Sequence, residues 1–257
     1  MHRSSFEKMH AFRQVYLSEY TGKKCAILDV GSASFGGDDG YRPIFVEPDW
    51  NYTGLDVTAA HNVDLVVANA YRWDEVADSS VDIAVSGQAF EHIAWPWLTM
   101  MEIARVLRAG GLAAITAPSA GHVHRYPLDC WRYYPDGFPA LAAYAGLRVV
   151  EQHVDTSFAF PESAFWGDVF VVLRRPKRTP DEDRVWRLRY DAALAAVCGL
   201  DWNGVPETES GRNAIAARTE ATLRALDAKR VKAAMIQELL YHIWRIMRTP
   251  LSELART

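Results

Sequence analysis

The sequence predicts an α/β fold, with a doubly wound, mostly parallel seven-stranded sheet followed by a C-terminal helical extension. Short apolar runs alternate with helical patterns from Lys23 to about Pro176, as in a sheet with helices on both faces. Several runs, such as Ile83-Ala84-Val85 and Ala113-Ala114-Ile115, are apolar at every position, which a strand covered on both faces requires. Beyond Pro176 only helical patterns remain.

The elements of the sheet region are assigned in chain order. An N-terminal helix is expected over about Phe6–Tyr20. Trp97–Arg108 has apolar residues at helical spacing and is expected to end at Gly110-Gly111, because glycine takes the left-handed conformation that terminates helices. Phe138–Tyr144 is a shorter helix closed by Gly146. The candidate strands are Cys25–Val30, Tyr52–Asp56, Leu65–Val67, Val81–Ser86, Leu112–Ala117, Leu147–His153 and Val169–Arg174.

The C-terminal part is expected to form a separate helical extension. Helices at Asp181–Val197 and Asn213–Arg248 flank a Gly/Pro/Asn loop. Residues 177–257 carry a net positive charge and the preceding residues a net negative one, so we divide the chain into an N-terminal helix (1–22), a ligand-binding domain (23–176) and the extension (177–257). The extension is expected to pack on the domain, cap its site or form a homodimer; a basic helix at a membrane surface is the alternative.

Composition narrows the classes of function. With 257 residues, 49% of them hydrophobic and 23% charged, the chain has the composition of a globular protein. A net charge of −4 argues against nucleic acid as a partner. The three cysteines form no CxxC pair, as expected for reduced thiols in a cytosol. Neither a signal peptide nor a membrane-spanning run is visible, so a cytoplasmic location is expected.

The loop after the first strand is the most informative segment. Asp29-Val30 runs into Gly31-Ser32-Ala33-Ser34-Phe35-Gly36, at the edge where open α/β sheets bind ligands. Ala33 stands where a dinucleotide fingerprint needs glycine to approach a pyrophosphate, and Asp29 suits a ligand that carries a positive amine. Asp56 closes the second strand, where an acid accepts both hydroxyls of a ribose. A nicotinamide oxidoreductase is therefore the least favoured interpretation.

Four linked segments resemble those of a class I S-adenosylmethionine-dependent methyltransferase: Leu28–Ser32, Gly54–Asp56, Val81–Ser86 through Glu91-His92, and Arg105–Leu112. The resemblance covers about Lys23–Pro176 and implies a Rossmann-like, seven-stranded sheet with an antiparallel last strand. It implies that S-adenosylmethionine is the cofactor and that residue 56 holds its ribose. The remaining cofactor contacts that it implies are Asp29, Gly31, Ser32 and Ala33 at the methionine end, Asn69 and Ala70 at the adenine, and Ser86, Gly87 and Gln88 after the fourth strand.

The chain departs from the family pattern at three points. Ala33 replaces a frequent glycine, Gly36–Asp49 is a long insert, and Asn69 stands where the family usually has an aspartate. An amide oxygen accepts the hydrogen bond of the adenine amine without a charge, so Asn69 is compatible with cofactor binding. Together these departures indicate an atypical branch of the family.

Methyl transfer to a hydroxyl needs a group that removes the proton of the acceptor. His92 follows the fourth strand, and His122 and His124 follow the fifth. We take His124 and His92 as candidate catalytic bases, with His124 preferred because Glu91-His92 often only caps a helix in this family. His122-x-His124 with Asp129 is an alternative site for Mg²⁺, although we assign no metal ligands.

The loop Gly121–Tyr134 is expected to bind the acceptor. It mixes aromatic rings with charged side chains, a combination that suits a polyhydroxylated ligand such as a saccharide. In the alternative, the aromatic residues belong to the core and the Arg/Asp pairs only pin the loop. The expected substrate contacts are His122, Arg125, Tyr126, Asp129, Trp131 and Arg132.

The sequence therefore predicts a methyltransferase that acts on a hydroxyl of a small acceptor, with a sugar as the first choice. The loop suggests a further resemblance to sugar methyltransferases of polysaccharide or natural-product pathways, such as the mycobacterial methylmannose polysaccharide type. Two alternatives stay open. One is an amine or carboxylate acceptor on a natural product, and the other is a non-catalytic, methyltransferase-like scaffold whose C-terminal helices engage a partner.

Overall fold

The computed structural model describes residues 3–34, 36–155 and 165–200, together with residues 236, 237 and 240. In chain order its strands are β1 (Cys25–Val30), β2 (Trp50–Asp56), β3 (Leu65–Val66), β4 (Val81–Gly87), β5 (Leu107–Ala117), β6 (Arg148–Val154) and β7 (Val169–Arg174). Its α-helices are α1 (Arg3–Tyr16), α2 (Pro96–Val106), α3 (Gly137–Ala145) and α4 (Pro180–Val197). Short 3₁₀ helices lie at Ser18–Tyr20, Arg42–Phe45 and Phe90–His92.

The strands form one seven-stranded sheet in the order β3-β2-β1-β4-β5-β7-β6. The pairs β1–β2, β1–β4, β2–β3 and β4–β5 are parallel, and β7 runs antiparallel to both of its neighbours. The predicted fold class, including the single antiparallel last strand, is therefore confirmed. The bounds of β1 and β7 are also those read from the sequence.

Both faces of the sheet are covered, because neighbouring residues of one strand point into different cores. Leu28 and Ala84 belong to the core that α2, α3 and α4 cover. Ile27 and Ile83, their neighbours in sequence, belong to a second core that includes Met9 and Phe12 of α1. This is why the central strands are apolar at every position rather than at alternate ones.

The insert Gly36–Asp49 completes the second core instead of forming an open loop. Tyr41, Ile44 and Phe45 of this segment are buried with Met9 of α1. The hydroxyl of Tyr41 shares a hydrogen bond of 2.5 Å with that of Ser5. The crossover from β1 to β2 is thus fixed by packing, and it places Tyr41 directly beside the end of β4, where a side chain at Gly87 would overlap its ring.

The expected termination of α2 at Gly110-Gly111 is wrong. The helix ends at Val106, and β5 begins at Leu107, which pairs with Val81 across a shift of register. The glycines lie inside the strand because the N–H of Gly110 donates to the carbonyl of Arg175 (2.8 Å), and Gly111 accepts from the N–H of that residue (3.0 Å). Pairing with distant backbone therefore overrides the local tendency of glycine to end a helix.

Helix α4, predicted at Asp181–Val197, begins with a capping box in which Thr179 and Glu182 each accept from the main-chain N–H of the other (3.3 and 2.7 Å). Its residues Trp186 and Tyr190 are buried in the first core. The chain divides into compact units at residues 1–203 and 204–257. The predicted boundaries at 22/23 and 176/177 remain a prediction from the sequence.

The predicted helix Asn213–Arg248 lies outside the described residues, apart from residues 236, 237 and 240, which are helical. A homodimer through the C-terminal helices therefore remains a prediction, as does a cytoplasmic location. In the part of the chain that is described, no helix is both long and apolar enough to cross a bilayer.

Candidate functional site

The predicted site residues gather at the carboxyl edge of the parallel strands. In the sheet, β2 lies on one side of β1 and β4 lies on its other side, so the direction of the strand order changes at β1. Loops that leave adjacent strands in opposite directions open a crevice between them, which is where open α/β sheets bind ligands. The loops after β1, β2 and β4 meet at this crevice.

The loop after β1 is held tightly against its neighbours. Gly31 has a φ of +76°, and a Cβ at this position would overlap the Cβ of Ala89 in the loop after β4. The N–H groups of Gly31 and Ser32 donate to the carbonyl of Leu55 at the end of β2 (2.9 and 3.1 Å). The glycine is therefore required both by its left-handed backbone and by the close approach of the next loop.

Asp56 organises the end of β2. Its carboxylate accepts from the main-chain N–H of Ala33 (3.1 Å) and, through its other oxygen, from that of Thr58 (3.1 Å). Ser34 pairs with His61 in a single bridge that closes the same turn. The carboxylate predicted to bind a ribose thus lies half-buried beside the loop predicted to hold the methionine end.

Asp29 is a buried carboxyl group at the end of β1. Burial raises its pKa to about 7, although a hydrogen bond from the Tyr52 hydroxyl and the nearby charge of Arg42 both lower it. Arg42 lies over the Tyr52 ring at 4.6 Å and pairs with Asp64 at 2.6 Å. A positively charged ligand group at this position would favour the ionised form of Asp29.

The end of β4 has an unusual backbone. Ser86 donates through its hydroxyl to the carbonyl of Val30 (2.7 Å) and so ties β4 to β1. Gln88 has a φ of +54°, which is uncommon for a residue other than glycine, and its amide donates to Asp168 (3.2 Å). Asp168 is fully buried and also accepts from Ser4 of α1 (2.7 Å). Strain of this kind occurs at ligand-binding positions.

Asn69 and Ala70 follow β3 at the same edge. The Asn69 side chain accepts from the N–H of Tyr71 (2.8 Å), and the carbonyl of Ala70 accepts from the indole of Trp73 (3.1 Å). Asn69 therefore stabilises its own turn in this structure, and the adenine contact remains a prediction.

Histidine and aromatic rings from three loops converge next to the end of β4. The ring of His92 lies 4.9 Å from that of His124 and 5.9 Å from that of Tyr126. Trp166 lies 4.8 Å from His124 and 5.2 Å from His122. We call these five residues the ring cluster. The two histidines predicted as separate candidates are thus neighbours, and Trp166 is a member that the sequence did not indicate.

Glu91 is the second residue that the sequence analysis did not select. Its carboxyl group is completely buried, and among the residues that the structure describes only its own main-chain N–H donates a hydrogen bond to it. Burial raises its pKa to about 8. Its Oε1 lies 3.6 Å from Nε2 of His92. The Glu91-His92 pair is the signal in the sequence that could indicate this carboxyl group, but by itself the pair is equally typical of a helix cap.

The loop after β5 is fixed by an internal ion pair. Arg132 makes two hydrogen bonds to Asp129 (2.6 and 2.9 Å), and Asp129 also accepts from the N–H of His124 (2.7 Å). Arg132 further donates to the carbonyl of His122 (2.8 Å). Because the Asp129 side chain is almost fully buried, the pair holds His124 in place, as the alternative interpretation of this loop expected.

The aromatic residues of this loop divide between core and surface. Tyr133 is buried, stacks on Phe138 at 4.5 Å and donates to the carbonyl of Phe90 (3.0 Å). Tyr126 and Trp131 remain exposed, and the indole of Trp131 donates to the carbonyl of Ile93 (2.8 Å). Arg125 is exposed as well, so these three side chains lie at the surface of the loop.

Comparisons with known proteins agree with this architecture. The family described as "Methyltransferase domain" matches residues 45–115, which run from the end of the insert into β5. An uncharacterized methyltransferase of Mycobacterium avium is 36% identical over 131 residues, covering 46% of this chain and 49% of the relative. One of Mycolicibacterium gilvum is 33% identical over 111 residues, covering 39% and 44%. The chain spans about half the length of the curated relatives that it matches.

Solved structures share the fold. The 1,6-didemethyltoxoflavin-N1-methyltransferase of Burkholderia thailandensis aligns with a TM-score of 0.51 at 14% identity, over 68% of this chain and 79% of that one. The YcgJ protein of Bacillus subtilis aligns with a TM-score of 0.50 at 14% identity, over 69% and 100%. The sheet topology is that of the Rossmann-like methyltransferase fold, and residues 45–115 match the methyltransferase domain family.

Proposed function

We propose that this protein transfers a methyl group from S-adenosylmethionine to a hydroxyl of a small polyhydroxylated acceptor, such as a sugar or an oligosaccharide. The ring cluster carries the proposal, because it sets imidazoles and flat aromatic faces beside the end of β4. An acceptor bound there would lie next to the loop after β1. Aromatic faces with neighbouring polar groups suit the apolar and hydroxylated sides of a sugar ring.

The edge of β1, β2 and β4 fits the cofactor. The buried carboxyl of Asp29 complements an ammonium group, and the half-buried Asp56 complements a pair of ribose hydroxyls. Once bound, the cofactor supplies an electrophilic methyl group on a sulfonium. We assign the further contacts to Gly31, Ser32, Ala33, Asn69, Ala70, Ser86, Gly87 and Gln88.

Activation of the acceptor hydroxyl is assigned to His92 and His124. Nδ1 of His92 lies 2.6 Å from the carbonyl of Leu128 and donates to it, which leaves Nε2 as an acceptor in the neutral ring. Burial lowers the pKa of His92, so the neutral ring prevails at physiological pH. These features support His92 over His124, either as a base or as a ligand of an ion that acidifies the hydroxyl.

Acceptor binding is assigned to the exposed part of the loop after β5. His122, Arg125, Tyr126 and Trp131 would contact the acceptor directly. Asp129 and Arg132 would act on it through His124, since they are engaged with each other and with the backbone of that residue. The loop thus combines exposed recognition groups with a buried pair that fixes their position.

Calorimetric titration with S-adenosylhomocysteine tests the cofactor assignment. We expect Asp56→Ala to weaken the affinity roughly ten- to hundredfold, as the loss of a charged hydrogen-bond partner does. Asp74→Ala is the matched control, because Asp74 is an exposed carboxylate that forms an ion pair with the exposed Arg72. Unchanged affinity in Asp56→Ala would contradict the assignment of the ribose site.

An acceptor panel tests the class of substrate. Sugars, amines and carboxylic acids are incubated separately with the protein and S-adenosylmethionine, and release of S-adenosylhomocysteine is measured. Turnover of sugars supports the proposal. Turnover of amines or carboxylates alone would replace it with the natural-product alternative, and cofactor binding without turnover over a wide panel would favour the scaffold alternative.

A further inference from the structure

Three side chains of the types that bind metal ions converge at the ring cluster, two of them its own histidines. The Glu91 carboxyl and the imidazoles of His92 and His124 each offer one ligand atom, and these atoms all lie within 4.8 Å of one another. His92 and Glu91 are adjacent in sequence, whereas His124 comes from the loop after β5. We propose that these three residues bind a divalent transition-metal ion, with zinc as the ion to test.

The state of Glu91 is the first independent observation. A carboxyl group that is wholly buried normally has several hydrogen-bond donors or a cation beside it, because its desolvation is otherwise uncompensated. Within the described ranges 3–34, 36–155 and 165–200, both oxygens of Glu91 lack such partners beyond the residue's own backbone. Oε1 faces Nε2 of His92 at 3.6 Å, so a cation between them would satisfy a group that the protein leaves unsatisfied.

The orientation of His92 is the second observation. Its hydrogen bond from Nδ1 to the carbonyl of Leu128 (2.6 Å) fixes the ring and leaves Nε2, which carries the lone pair in the neutral ring, 3.6 Å from Oε1 of Glu91. Metal-binding histidines are commonly held in this way, with the nitrogen that does not bind the metal donating to a carbonyl or carboxylate. The bond therefore presents Nε2 as a ligand.

His124 is held by the charged pair behind it. Its N–H donates to Asp129 (2.7 Å), and its Nδ1 lies 3.6 Å from the same carboxylate and 3.4 Å from a guanidinium nitrogen of Arg132. The carboxylate and the guanidinium compensate each other's charge. This pair therefore adds no excess positive charge beside the three candidate ligands, which is compatible with a bound cation.

The donor set indicates the class of ion. Two imidazoles and one carboxylate suit zinc and its first-row neighbours, whereas magnesium prefers an all-oxygen shell. Tetrahedral zinc with bonds of about 2.1 Å separates its ligand atoms by about 3.4 Å, so the rings would move closer together when the ion binds. Three protein ligands leave a coordination position open, as in catalytic zinc sites.

Only the consequence for catalysis rests on the proposed function. An acceptor hydroxyl at the open position would lose its proton more readily, so His92 would serve as a ligand rather than as the base. Metal binding itself does not depend on the identity of the acceptor or on methyl transfer. The two proposals can therefore fail separately.

The test uses the full chain after treatment with a chelator. Zn²⁺ is titrated by calorimetry, and Co²⁺ is added as a spectroscopic probe whose visible absorption reports nitrogen ligation in a site of low symmetry. We expect one ion per chain, and at least about 100-fold weaker binding in Glu91→Gln and in His92→Ala, by comparison with the 10–100-fold that outer-shell changes cost. His122→Ala should bind as the wild type does, since this ring is not one of the three ligands.

The outcomes separate the alternatives. Absence of binding by the wild type, or equal affinities in Glu91→Gln and the wild type, would overturn the metal site. Glu91→Gln is nearly isosteric and removes a buried carboxyl, and thermal unfolding of each variant confirms that it is folded. Metal binding by a protein that methylates no acceptor would support the metal site and contradict the proposed function. Methylation of an acceptor by a protein that binds no metal would support the proposed function and overturn the metal site.

Discussion

The close approach of Gly31 and Ala89 provides the sharpest test of how the loop after β1 is built. Gly31 lies in the loop after β1 with a φ of +76°, and a Cβ added there would overlap the Cβ of Ala89 in the loop after β4. Gly31→Ala therefore introduces two separate penalties. One is the left-handed backbone conformation, and the other is the steric conflict with a neighbouring loop.

The two penalties have different magnitudes and different remedies. The left-handed conformation costs an L-residue about 1–2 kcal/mol. Forcing an extra methyl group into a filled space costs about 1–3 kcal/mol. We therefore expect Gly31→Ala to lower the free energy of unfolding by about 2–5 kcal/mol. Adding Ala89→Gly removes the second penalty and leaves the first.

Urea unfolding of the four proteins in this double-mutant cycle measures the contact directly. We expect a favourable coupling free energy of about 1–3 kcal/mol between the two substitutions. Ala89→Gly alone is the control for the greater flexibility of glycine. If the effects of the two substitutions simply add, then the two side chains do not meet, and the close apposition of the loops is refuted.

Three further predictions concern two buried carboxyl groups and the half-buried Gln88. Burial raises the pKa of Asp29 to about 7, so its protonated form stabilises the fold. This stabilisation is fully present below the pKa of the unfolded state and is lost as the pH rises through about 7. Relative to Asp29→Asn, the free energy of unfolding of the wild type, measured in urea, should therefore fall by about 2–3 kcal/mol between about pH 5 and about pH 8. Parallel pH profiles would contradict this. Glu102→Gln should lower the free energy of unfolding by about 3 kcal/mol, because Glu102 is fully buried and accepts two hydrogen bonds of 2.8 Å from the Arg105 guanidinium. An unchanged urea midpoint would show that this buried ion pair does not stabilise the fold. Gln88→Gly should be more stable than Gln88→Ala by about 1 kcal/mol. Both variants lose the hydrogen bond to Asp168, and only glycine accepts a φ of +54° without strain. Equal melting temperatures of the two variants would show that the backbone at this position is not strained.

The sheet could be predicted because its signals are local. Runs that are apolar at every position mark strands covered on both faces, and the two cores of the structure contain Ile27 and Leu28 on opposite sides. The end of α2 could not be predicted in the same way. Gly110 is a plausible helix terminator by itself, and only the backbone of Arg175, distant in sequence, draws it into a strand.

The site was predictable in its parts and not in its assembly. His92 and His124 were each selected because they follow strands at the carboxyl edge. Their contact depends on the N–H groups of Cys130 and Trp131 donating to the carbonyl of Glu91 (2.7 and 3.2 Å), which docks one loop onto the other. The importance of Glu91 depends on burial without a partner, and no pattern in the sequence displays that property.

The proposed cofactor edge of the sheet and the ring cluster are linked through one short segment. Ala89 contacts the position of Gly31, and two residues later Glu91 faces His92. Between them the 3₁₀ turn Phe90–His92 is anchored by the Tyr133 hydroxyl, which donates to the carbonyl of Phe90 (3.0 Å). The loop after β1 is therefore in direct contact with the segment that carries Glu91 and His92. Because a side chain at Gly31 would overlap Ala89, we expect Gly31→Ala to disturb the turn that positions the proposed activating groups as well as the loop after β1.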